Sequence, residues 1–283
     1  MTLSRPVRSV LYIPGSKERA LDKARGLAAD AIIFDLEDAV TPDAKDAARD
    51  TLKGELAKGG FGKRMKIVRI NGFDTDWGRA DADAFAGADI DALLLPKVNS
   101  TADLDALAEV AGNTPLWAMM ETPEGVLNAQ SIAAHPALQG IVMGTNDLVK
   151  DLGCRVTPDR FALMTSLQLA LLAARAAGKV IVDGVYNAFK DEDGLRAECE
   201  QGVALGFDGK TLIHPAQLDV TNDVYAPSEA DLDLARRQIA AFEETEASGQ
   251  GVAVVDGKIV ENLHIVTAKA LLAKAEVIAS LEG

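Results

Sequence analysis

The sequence predicts an α/β protein that folds as a (β/α)8 TIM barrel and carries a small C-terminal lid or oligomerisation appendage. The first observation is a repeat of about eight short apolar runs, which begin roughly 20 to 40 residues apart. The second is that each run ends in polar or glycine residues and is followed by an Ala/Leu-rich stretch. The third is that no glycine-rich dinucleotide motif follows the first run, which disfavours the open doubly wound sheet that shares this alternation.

The eight predicted strands are nearly continuous apolar runs, as is typical of parallel strands that are covered on both faces. They span Ser9–Ile13, Ala31–Leu36, Lys66–Ile70, Ala92–Leu95, Leu116–Met120, Gly140–Met143, Val180–Val182 and Phe207–Ile213. Between them, apolar residues recur at helical spacing, for example over Glu18–Ala29, Thr101–Ala111 and Asp159–Ala177. We therefore assign residues 1–226 to the barrel.

The pattern changes after the eighth run, and residues 227–283 form the predicted appendage. Its predicted elements are, in order, an N-cap at Ser228, a helix over Asp231–Glu246, a small-residue linker at Ala247–Gly251, a hairpin turn at Asp256-Gly257 and a helix from about Ile265 to Leu281. A segment of this size is too small to fold alone. We therefore expect it to pack on the barrel or on a neighbouring subunit.

The overall charge of the chain disfavours anionic macromolecules as binding partners. The formal net charge is −14 and the isoelectric point is about 4.7. We expect such an acidic protein to bind neither nucleic acid nor an anionic membrane. No apolar run reaches the roughly 18 residues that a membrane-spanning helix needs. The N-terminal residues also lack the apolar core of a signal peptide, so we expect a cytoplasmic protein.

Four carboxylates follow predicted strands and meet at the C-terminal rim, where the active site of a barrel lies. They are Glu37 and Asp38 after the second strand, Glu121 after the fifth and Asp147 after the sixth. Without a partner, these groups would repel one another and raise each other's pKa. A hard divalent cation removes that conflict, and Mg²⁺ typically takes one or two carboxylates together with waters and substrate oxygens. We therefore favour a Mg²⁺ site over the alternative that each residue merely caps the next helix.

Basic residues at the same rim indicate an anionic substrate. Arg69 lies in the third strand near its end, and its guanidinium can bind a substrate carboxylate or carbonyl in a bidentate fork. An ion pair with Glu37 or Asp38 is the alternative, and the two roles are compatible. Lys17 and Lys23 follow the first strand, where they either receive a phosphate-rich ligand or form a solvated basic face.

The sequence lacks the motifs of nucleophilic and nucleotide-dependent catalysis. Its three histidines form no triad pattern, and neither a G-x-S-x-G elbow nor a P-loop is present. His214 lies at the end of the eighth strand, where it can touch a ligand.

At these residues the chain resembles a known family, the citrate lyase β-subunit-like enzymes of the HpcH/HpaI aldolase superfamily. That family includes malyl-CoA lyases, citramalyl-CoA lyases and malyl-CoA thioesterases. The matching segments span nearly the whole chain in family order, namely Arg8–Gly15, Asp35–Val40, Val68–Gly72, Glu121–Gly125, Gly144–Leu148 and Gly209–Pro215. Each segment alone is a weak signal, whereas the set is highly specific.

The resemblance implies a site and an assembly. It implies Mg²⁺, with Mn²⁺ as an alternative ion, on Glu121 and Asp147, while Glu37 and Asp38 hold metal-bound waters. It implies that Arg69 contacts the acyl group of an acyl-CoA substrate. It places coenzyme A along Tyr12, Lys17, Lys23, Asn146, Ile213 and His214. It also implies a homotrimer or homohexamer in which the lid of one subunit reaches the active site of another.

One position departs from the lyases of this family. Many of them carry an aspartate in the lid segment as the acid–base group, whereas the matching segment here, Gly257–His264, carries Glu261. The extra methylene moves the carboxylate by about 1.5 Å, and misplacement on this scale can cost orders of magnitude in rate.

The glutamate in place of aspartate determines which activity we expect first. Hydrolysis of (3S)-malyl-CoA to malate and coenzyme A comes first, with Glu261 and Arg69 as the expected catalytic residues. Cleavage of the carbon–carbon bond of malyl-CoA or citramalyl-CoA, to a 2-oxo acid and acetyl-CoA, is the alternative. A citrate lyase-type subunit that works only on an acyl-carrier partner is the third.

Overall fold

Eight parallel strands close into a barrel, which confirms the predicted fold. The computed structural model describes residues 5–249 and 251–282. The strands are β1 (Ser9–Pro14), β2 (Ala31–Asp35), β3 (Met65–Arg69), β4 (Ala92–Leu95), β5 (Leu116–Met120), β6 (Leu138–Met143), β7 (Val180–Asp183) and β8 (Gly209–Leu212). Each strand pairs with the next in sequence, and β8 returns to β1, where Lys210 lies beside Ser9.

Helices follow the strands and cover the outside of the barrel. They are α1 (Glu18–Ala24), α2 (Lys45–Lys58), α3 (Gly78–Phe85), α4 (Thr101–Ala111), α5 (Pro123–Leu127), α6 (Ala129–Ala133), α7 (Thr145–Leu152), α8 (Met164–Ala176), α9 (Glu192–Leu205) and α10 (Leu218–Tyr225). Helix α4 has the predicted bounds, and a capping box between Ser100 and Asp103 fixes its start.

Two helices are shorter than predicted. Helix α1 ends at Ala24 instead of Ala29, and Gly26 follows one residue beyond its C-cap. Helix α8 begins at Met164 instead of Asp159, because Arg160 adopts a left-handed backbone with φ of 53° that a right-handed helix cannot continue through.

The barrel interior is filled with side chains. Inward-facing residues of successive strands form one apolar cluster, which includes Val10, Ile33, Ile67, Leu94, Trp117, Val142 and Val182. The Trp117 indole occupies the space that a side chain at position 140 would need, so β6 requires glycine there. A second, larger apolar cluster joins the outer faces of the strands to the helices. The interior is therefore a packed core, as expected for an eight-stranded barrel, and not a channel.

The chain divides into two compact units, Val7–Tyr225 and the residues outside that range. The second unit contains α11 (Glu229–Ser248), β9 (Ala253–Val255), β10 (Lys258–Val260) and α12 (Asn262–Glu282). Its own small core joins Ala253, Val255, Val260 and Ile265 to partly buried residues of α11. Packing of this unit on the barrel or on a neighbouring subunit stays a prediction.

The elements of the second unit match their prediction closely. The Ser228 hydroxyl accepts the Asp231 N–H at 3.1 Å, which confirms the N-cap of α11. Asp256 and Gly257 have φ of 50° and 74°, the pair of positive values that a two-residue hairpin turn of type I′ requires. Helix α12 begins three residues before the predicted Ile265. Of the predicted linker Ala247–Gly251, Gln250 lies outside the described residues.

Within the part of the chain that the structure describes, no helix is long and apolar enough to cross a membrane.

Candidate active site

A cavity of about 330 Å³ opens at the C-terminal rim of the barrel. Seven of the residues predicted from the sequence line it, namely Tyr12, Asp38, Arg69, Glu121, Asn146, Asp147 and Ile213. They come from six different strands or from the residues that follow them. The closure of the barrel therefore brings together side chains that lie up to about 200 residues apart in the chain.

Arg69 lines the cavity, is almost fully buried and is held on several sides. It pairs with Asp35 through two hydrogen bonds, from Nε at 2.7 Å and from Nη2 at 2.6 Å. Its Nη1 also lies 3.0 Å from Glu37 Oε2 and 3.4 Å from Asp38 Oδ2. The predicted ion pairs of Arg69 with Glu37 and Asp38 are thus present, and Asp35 adds a bidentate contact that fixes the plane of the guanidinium.

Asp35 is itself fixed by the backbone. Its carboxylate accepts the N–H groups of Glu37 and Ala39, both at 2.9 Å, in addition to the two bonds from Arg69. Burial lowers the pKa of Arg69, but the neighbouring groups, chiefly the Asp35 carboxylate, together outweigh this effect and raise the pKa. Arg69 consequently stays a cation inside the barrel.

Tyr12 forms an apolar wall beside the guanidinium. The Arg69 guanidinium carbon lies 5.0 Å from the centre of the Tyr12 ring, which is within the range of a cation–π contact. Burial raises the pKa of Tyr12 well above its ordinary value, so the phenol remains neutral at physiological pH. Tyr12 therefore offers a flat, uncharged surface and a hydroxyl to a ligand in the cavity.

Glu121 is the most buried carboxylate of the predicted metal site. It is 2% exposed, and its Oε1 accepts the backbone N–H of Lys97 at 2.8 Å. Burial raises the pKa of Glu121 to about 7, against the opposing effects of that N–H and of Arg69. A side chain at Gly144 would overlap the Glu121 carboxylate, so the loop after β6 needs glycine there.

Asp147 lies in the first turn of α7 and lines the same cavity as Glu121. Among the described ion pairs, none includes either carboxylate. Nor do the described residues form a cluster of three or more His, Cys, Asp or Glu side chains that could complete a metal shell by themselves. Two unpaired carboxylates beside open space suit Mg²⁺, which completes its shell with waters and substrate oxygens. The donor chemistry therefore fits Mg²⁺ on Glu121 and Asp147.

Glu37 lies between two cations at the rim. One oxygen is 3.0 Å from Arg69 Nη1 and the other is 3.5 Å from Lys97 Nζ. Burial raises the pKa of Glu37, and the neighbouring charge of Asp38 adds to this, whereas Arg69 lowers it. Asp38 is 64% exposed and only loosely tied to Arg69. Both oxygens of Glu37 therefore face cations, whereas Asp38 is the less constrained of the two carboxylates.

The predicted coenzyme A contacts fall into two groups. Tyr12, Asn146 and Ile213 line the cavity. Asn146 exchanges side-chain amide hydrogen bonds with Asn187 of the loop after β7, at 2.8 and 3.3 Å. Lys17, the N-cap of α1, and Lys23, in its last turn, are exposed and lie outside the cavity lining.

His214 is exposed and also lies outside the cavity lining. Its ring stacks on Phe189 with the ring centres 4.5 Å apart, and its Nδ1 accepts the Ala216 N–H at 3.1 Å. These contacts account for its position without a ligand. Its predicted role in binding coenzyme A stays a prediction, as do those of the two lysines.

Glu261 lies in the second unit, directly after β10. It is exposed, and its backbone N–H donates to His264 Nδ1 at 2.9 Å, which caps the start of α12. Its predicted catalytic role stays a prediction.

Two residues at the site carry contacts that the sequence analysis did not assign. Asp35 is one of three acidic residues at the end of β2, with Glu37 and Asp38, but only the strand register places it beside Arg69 of β3. The alternation of inward and outward side chains along β2 is the signal that could have found it, since Asp35 shares the face of Ile33. Lys97 lies two residues after the end of β4, and its backbone N–H reaches Glu121 because its φ is 51°. This dihedral angle cannot be predicted from the residue type.

The chain matches the family model described as "HpcH/HpaI aldolase/citrate lyase" over residues 8–215. It is 68% identical over 278 residues to a (3S)-malyl-CoA thioesterase of Cereibacter sphaeroides, an alignment that covers 98% of each chain. It is 36% identical over 290 residues to citrate lyase subunit beta of Leuconostoc mesenteroides, covering 98% of this chain and 96% of that one.

A solved structure supports the same relationship. Protein CitE from Mycobacterium tuberculosis, crystallised with magnesium, acetoacetate and coenzyme A, superposes with a TM-score of 0.80 at 31% sequence identity. The match covers 98% of this chain and 100% of that one. A citrate lyase beta subunit from the same organism, complexed with oxaloacetate and magnesium, superposes with a TM-score of 0.71 at 32% sequence identity, over 80% of this chain and 100% of that one.

Proposed function

Because the chain belongs to the HpcH/HpaI aldolase/citrate lyase family of enzymes, we propose that it hydrolyses (3S)-malyl-CoA to malate and coenzyme A. The observation that carries this proposal is the 68% identity to a (3S)-malyl-CoA thioesterase over nearly the whole of both chains. The cavity supports it, because it combines one buried cation with two carboxylates suited to a metal. This arrangement fits a small acyl group that carries several oxygens.

Glu121 and Asp147 would hold Mg²⁺, with Mn²⁺ as the alternative ion. When bound, Mg²⁺ supplies a Lewis acid that polarises the oxygens of the acyl group. The magnesium present in these two related structures supports this choice of ion. Glu37 and Asp38 would orient waters at the same centre.

Arg69 would bind the free carboxylate or a carbonyl oxygen of the malyl group. Its bidentate contact with Asp35 fixes the guanidinium before the substrate arrives, so little conformational entropy is lost on binding. Tyr12 would close one side of the acyl pocket. Coenzyme A would be bound by Asn146 and Ile213, which line the cavity, and by the exposed residues Lys17, Lys23 and His214.

Glu261 would act as the general base. Its carboxylate would take a proton from a water, and the resulting hydroxide would attack the thioester carbonyl carbon and release the coenzyme A thiolate. A base on a separate unit can reach the ligand only when that unit closes over a site. We therefore propose that residues 227–283 form a lid that acts in trans within a cytoplasmic homotrimer or homohexamer.

Carbon–carbon cleavage is the second candidate. It is motivated by the 36% identity to a citrate lyase β subunit. The same site would then release a 2-oxo acid and acetyl-CoA from malyl-CoA or citramalyl-CoA. A subunit that acts only on an acyl-carrier partner is a third candidate, motivated by the same relative.

A product analysis separates the three. Purified protein is incubated with (3S)-malyl-CoA and Mg²⁺, and the products are identified by mass spectrometry while free thiol is titrated. We expect malate and coenzyme A in equal amounts, and no turnover in excess chelator until Mg²⁺ is restored. Glyoxylate with acetyl-CoA would instead establish the lyase. Inactivity of the isolated chain on every free acyl-CoA would point to the carrier-dependent subunit.

A further inference from the structure

Lys97 adopts a backbone conformation that is unusual for a residue with a side chain. It follows Pro96 at the end of the β4 segment and has a φ of 51°, in the left-handed region that favours glycine. This conformation directs its N–H to Glu121 Oε1 at 2.8 Å. One half of the Glu121 carboxylate is thereby fixed, and the other half is left for the cavity.

The side chain of Lys97 contacts a different carboxylate. Its Nζ lies 3.5 Å from Glu37 Oε1, while Arg69 binds the opposite oxygen of Glu37. Glu37 is therefore held between two cations and turned toward them. The Lys97 side chain is 53% exposed, so it contributes little to the packed core.

The surroundings of Lys97 are strongly acidic. The carboxylates of Glu37, Glu121, Asp147 and Asp38 all lie close enough to attract its ammonium. A lysine in this position stays charged and competes with any other cation for the same carboxylates. A lysine beside a metal site weakens metal binding, because its charge repels the cation. We therefore expect Lys97 to have a function at this site that offsets the weaker binding.

We infer that Lys97 is a positioning residue of the proposed metal centre, whose ammonium holds Glu37 away from the cation and so keeps a coordination position open for substrate. The inference rests on the proposed function, because it assumes a cation on Glu121 and Asp147. Without the ammonium, Oε1 of Glu37 loses its partner and can turn toward that cation as a third carboxylate ligand, while Oε2 stays with Arg69. The metal would then bind more tightly and the substrate less productively.

The test is Lys97→Met, which keeps the length of the side chain and removes its charge. Mn²⁺ binding is measured by electron paramagnetic resonance, and hydrolysis of malyl-CoA is measured in parallel. We expect Mn²⁺ to bind roughly three- to tenfold more tightly, mainly because the released Glu37 adds a carboxylate ligand and to a lesser extent because a repelling charge is lost, while kcat/KM falls by about tenfold or more. A purely structural role would weaken both, so the opposite signs are diagnostic.

Three further variants serve as controls for charge, net charge and the contribution of Glu37. Lys97→Arg keeps the charge and should retain the wild-type Mn²⁺ affinity. Lys53→Met removes an exposed lysine of α2 and controls for the change in net charge. In the double variant Lys97→Met/Glu37→Gln the third ligand is absent, so most of the gain in Mn²⁺ affinity should disappear.

The outcomes distinguish this inference from the proposed function. Mn²⁺ affinity that is unchanged or weaker in Lys97→Met would overturn the role of Lys97. A gain in affinity that persists in the double variant would overturn the part played by Glu37. Failure of the wild-type protein to bind Mn²⁺ would reject the proposed metal centre itself. Mn²⁺ binding without malyl-CoA hydrolysis would reject the proposed reaction and leave the role of Lys97 to be decided by the affinities.

Discussion

At the scale of single residues, the Asp35–Arg69 pair organises the acyl end of the site. Both side chains are almost fully buried, at 2% and 6% exposure, and they share two short hydrogen bonds. A buried ion pair of this kind adds little net stability compared with an apolar pair, but removing one partner leaves the other uncompensated. The pair therefore orients the Arg69 guanidinium, and we expect its loss to lower both the stability of the protein and its activity.

Asp35→Asn tests this view. The substitution keeps the shape of the side chain but removes the charge that Arg69 faces, so we expect a loss of about 3 kcal/mol or more in the free energy of unfolding. Denaturant unfolding measures the loss, and kinetics on malyl-CoA should show kcat/KM reduced in the same variant. Asp38→Asn is the matched control for stability, since Asp38 is exposed and 3.4 Å from Arg69. Equal stability of the two variants would contradict the proposed importance of the buried pair.

Single residues also show why the site was only partly predictable. Glu121, Asp147 and Arg69 were found because residue type and position at or just after the end of a strand suffice to place them on one rim. Asp35 and Lys97 were not assigned roles, because those roles depend on the strand register and on one backbone dihedral angle. Residue type alone carries no information about either quantity.

At the scale of elements, the strands and the long helices followed from the pattern of apolar residues, whereas helix starts did not always follow. Helix α8 was predicted from Asp159, but Arg160 turns left-handed and donates from Nη1 to both oxygens of the buried Asp183, at 2.8 and 2.7 Å. A long-range ion pair thus overrides a local preference for helix. The hairpin was predictable because the Asp-Gly pair specifies its own turn.

The segment after that hairpin carries the most consequential substitution. Glu261→Gln should lower kcat far more than KM, because the amide keeps the shape of the side chain and loses the ability to exchange a proton. We expect a loss of roughly a hundredfold or more in kcat, the usual range for a general base. Steady-state kinetics on malyl-CoA measure it, and Glu244→Gln, an exposed residue of α11, is the control.

Glu261→Asp asks a separate question about side-chain length. It restores the lid acid that is common among lyases of the family. If length selects the reaction, the ratio of glyoxylate to malate should rise in this variant. Wild-type rates in Glu261→Gln would instead show that the residue is an exposed glutamate without a role in the reaction.

At the scale of the whole molecule, the net charge of −14 opposes the binding of coenzyme A, which is itself an anion. Local basic residues must then offset the overall field. We expect Lys17→Ala and Lys23→Ala each to raise KM for malyl-CoA about fivefold, which corresponds to about 1 kcal/mol per phosphate contact. The effect should shrink in high salt, because both lysines are exposed.

Kinetics at two salt concentrations check this expectation. Lys53→Ala, which removes an exposed lysine elsewhere on the barrel unit, is the control for net charge. A KM that is unchanged in both Lys17→Ala and Lys23→Ala would show that these lysines are solvated surface residues without a role in binding coenzyme A.

The packed interior of the barrel has a kinetic consequence. With Trp117 seated against Gly140 and the neighbouring strands contributing apolar side chains, nothing can pass through the centre of the barrel. A ligand must leave by the mouth through which it entered. If the malyl group lies innermost against Arg69 and coenzyme A extends outward, coenzyme A lies between the malyl group and the mouth of the cavity. Coenzyme A must then dissociate before malate. The dissociation of malate is therefore the step that regenerates the free enzyme.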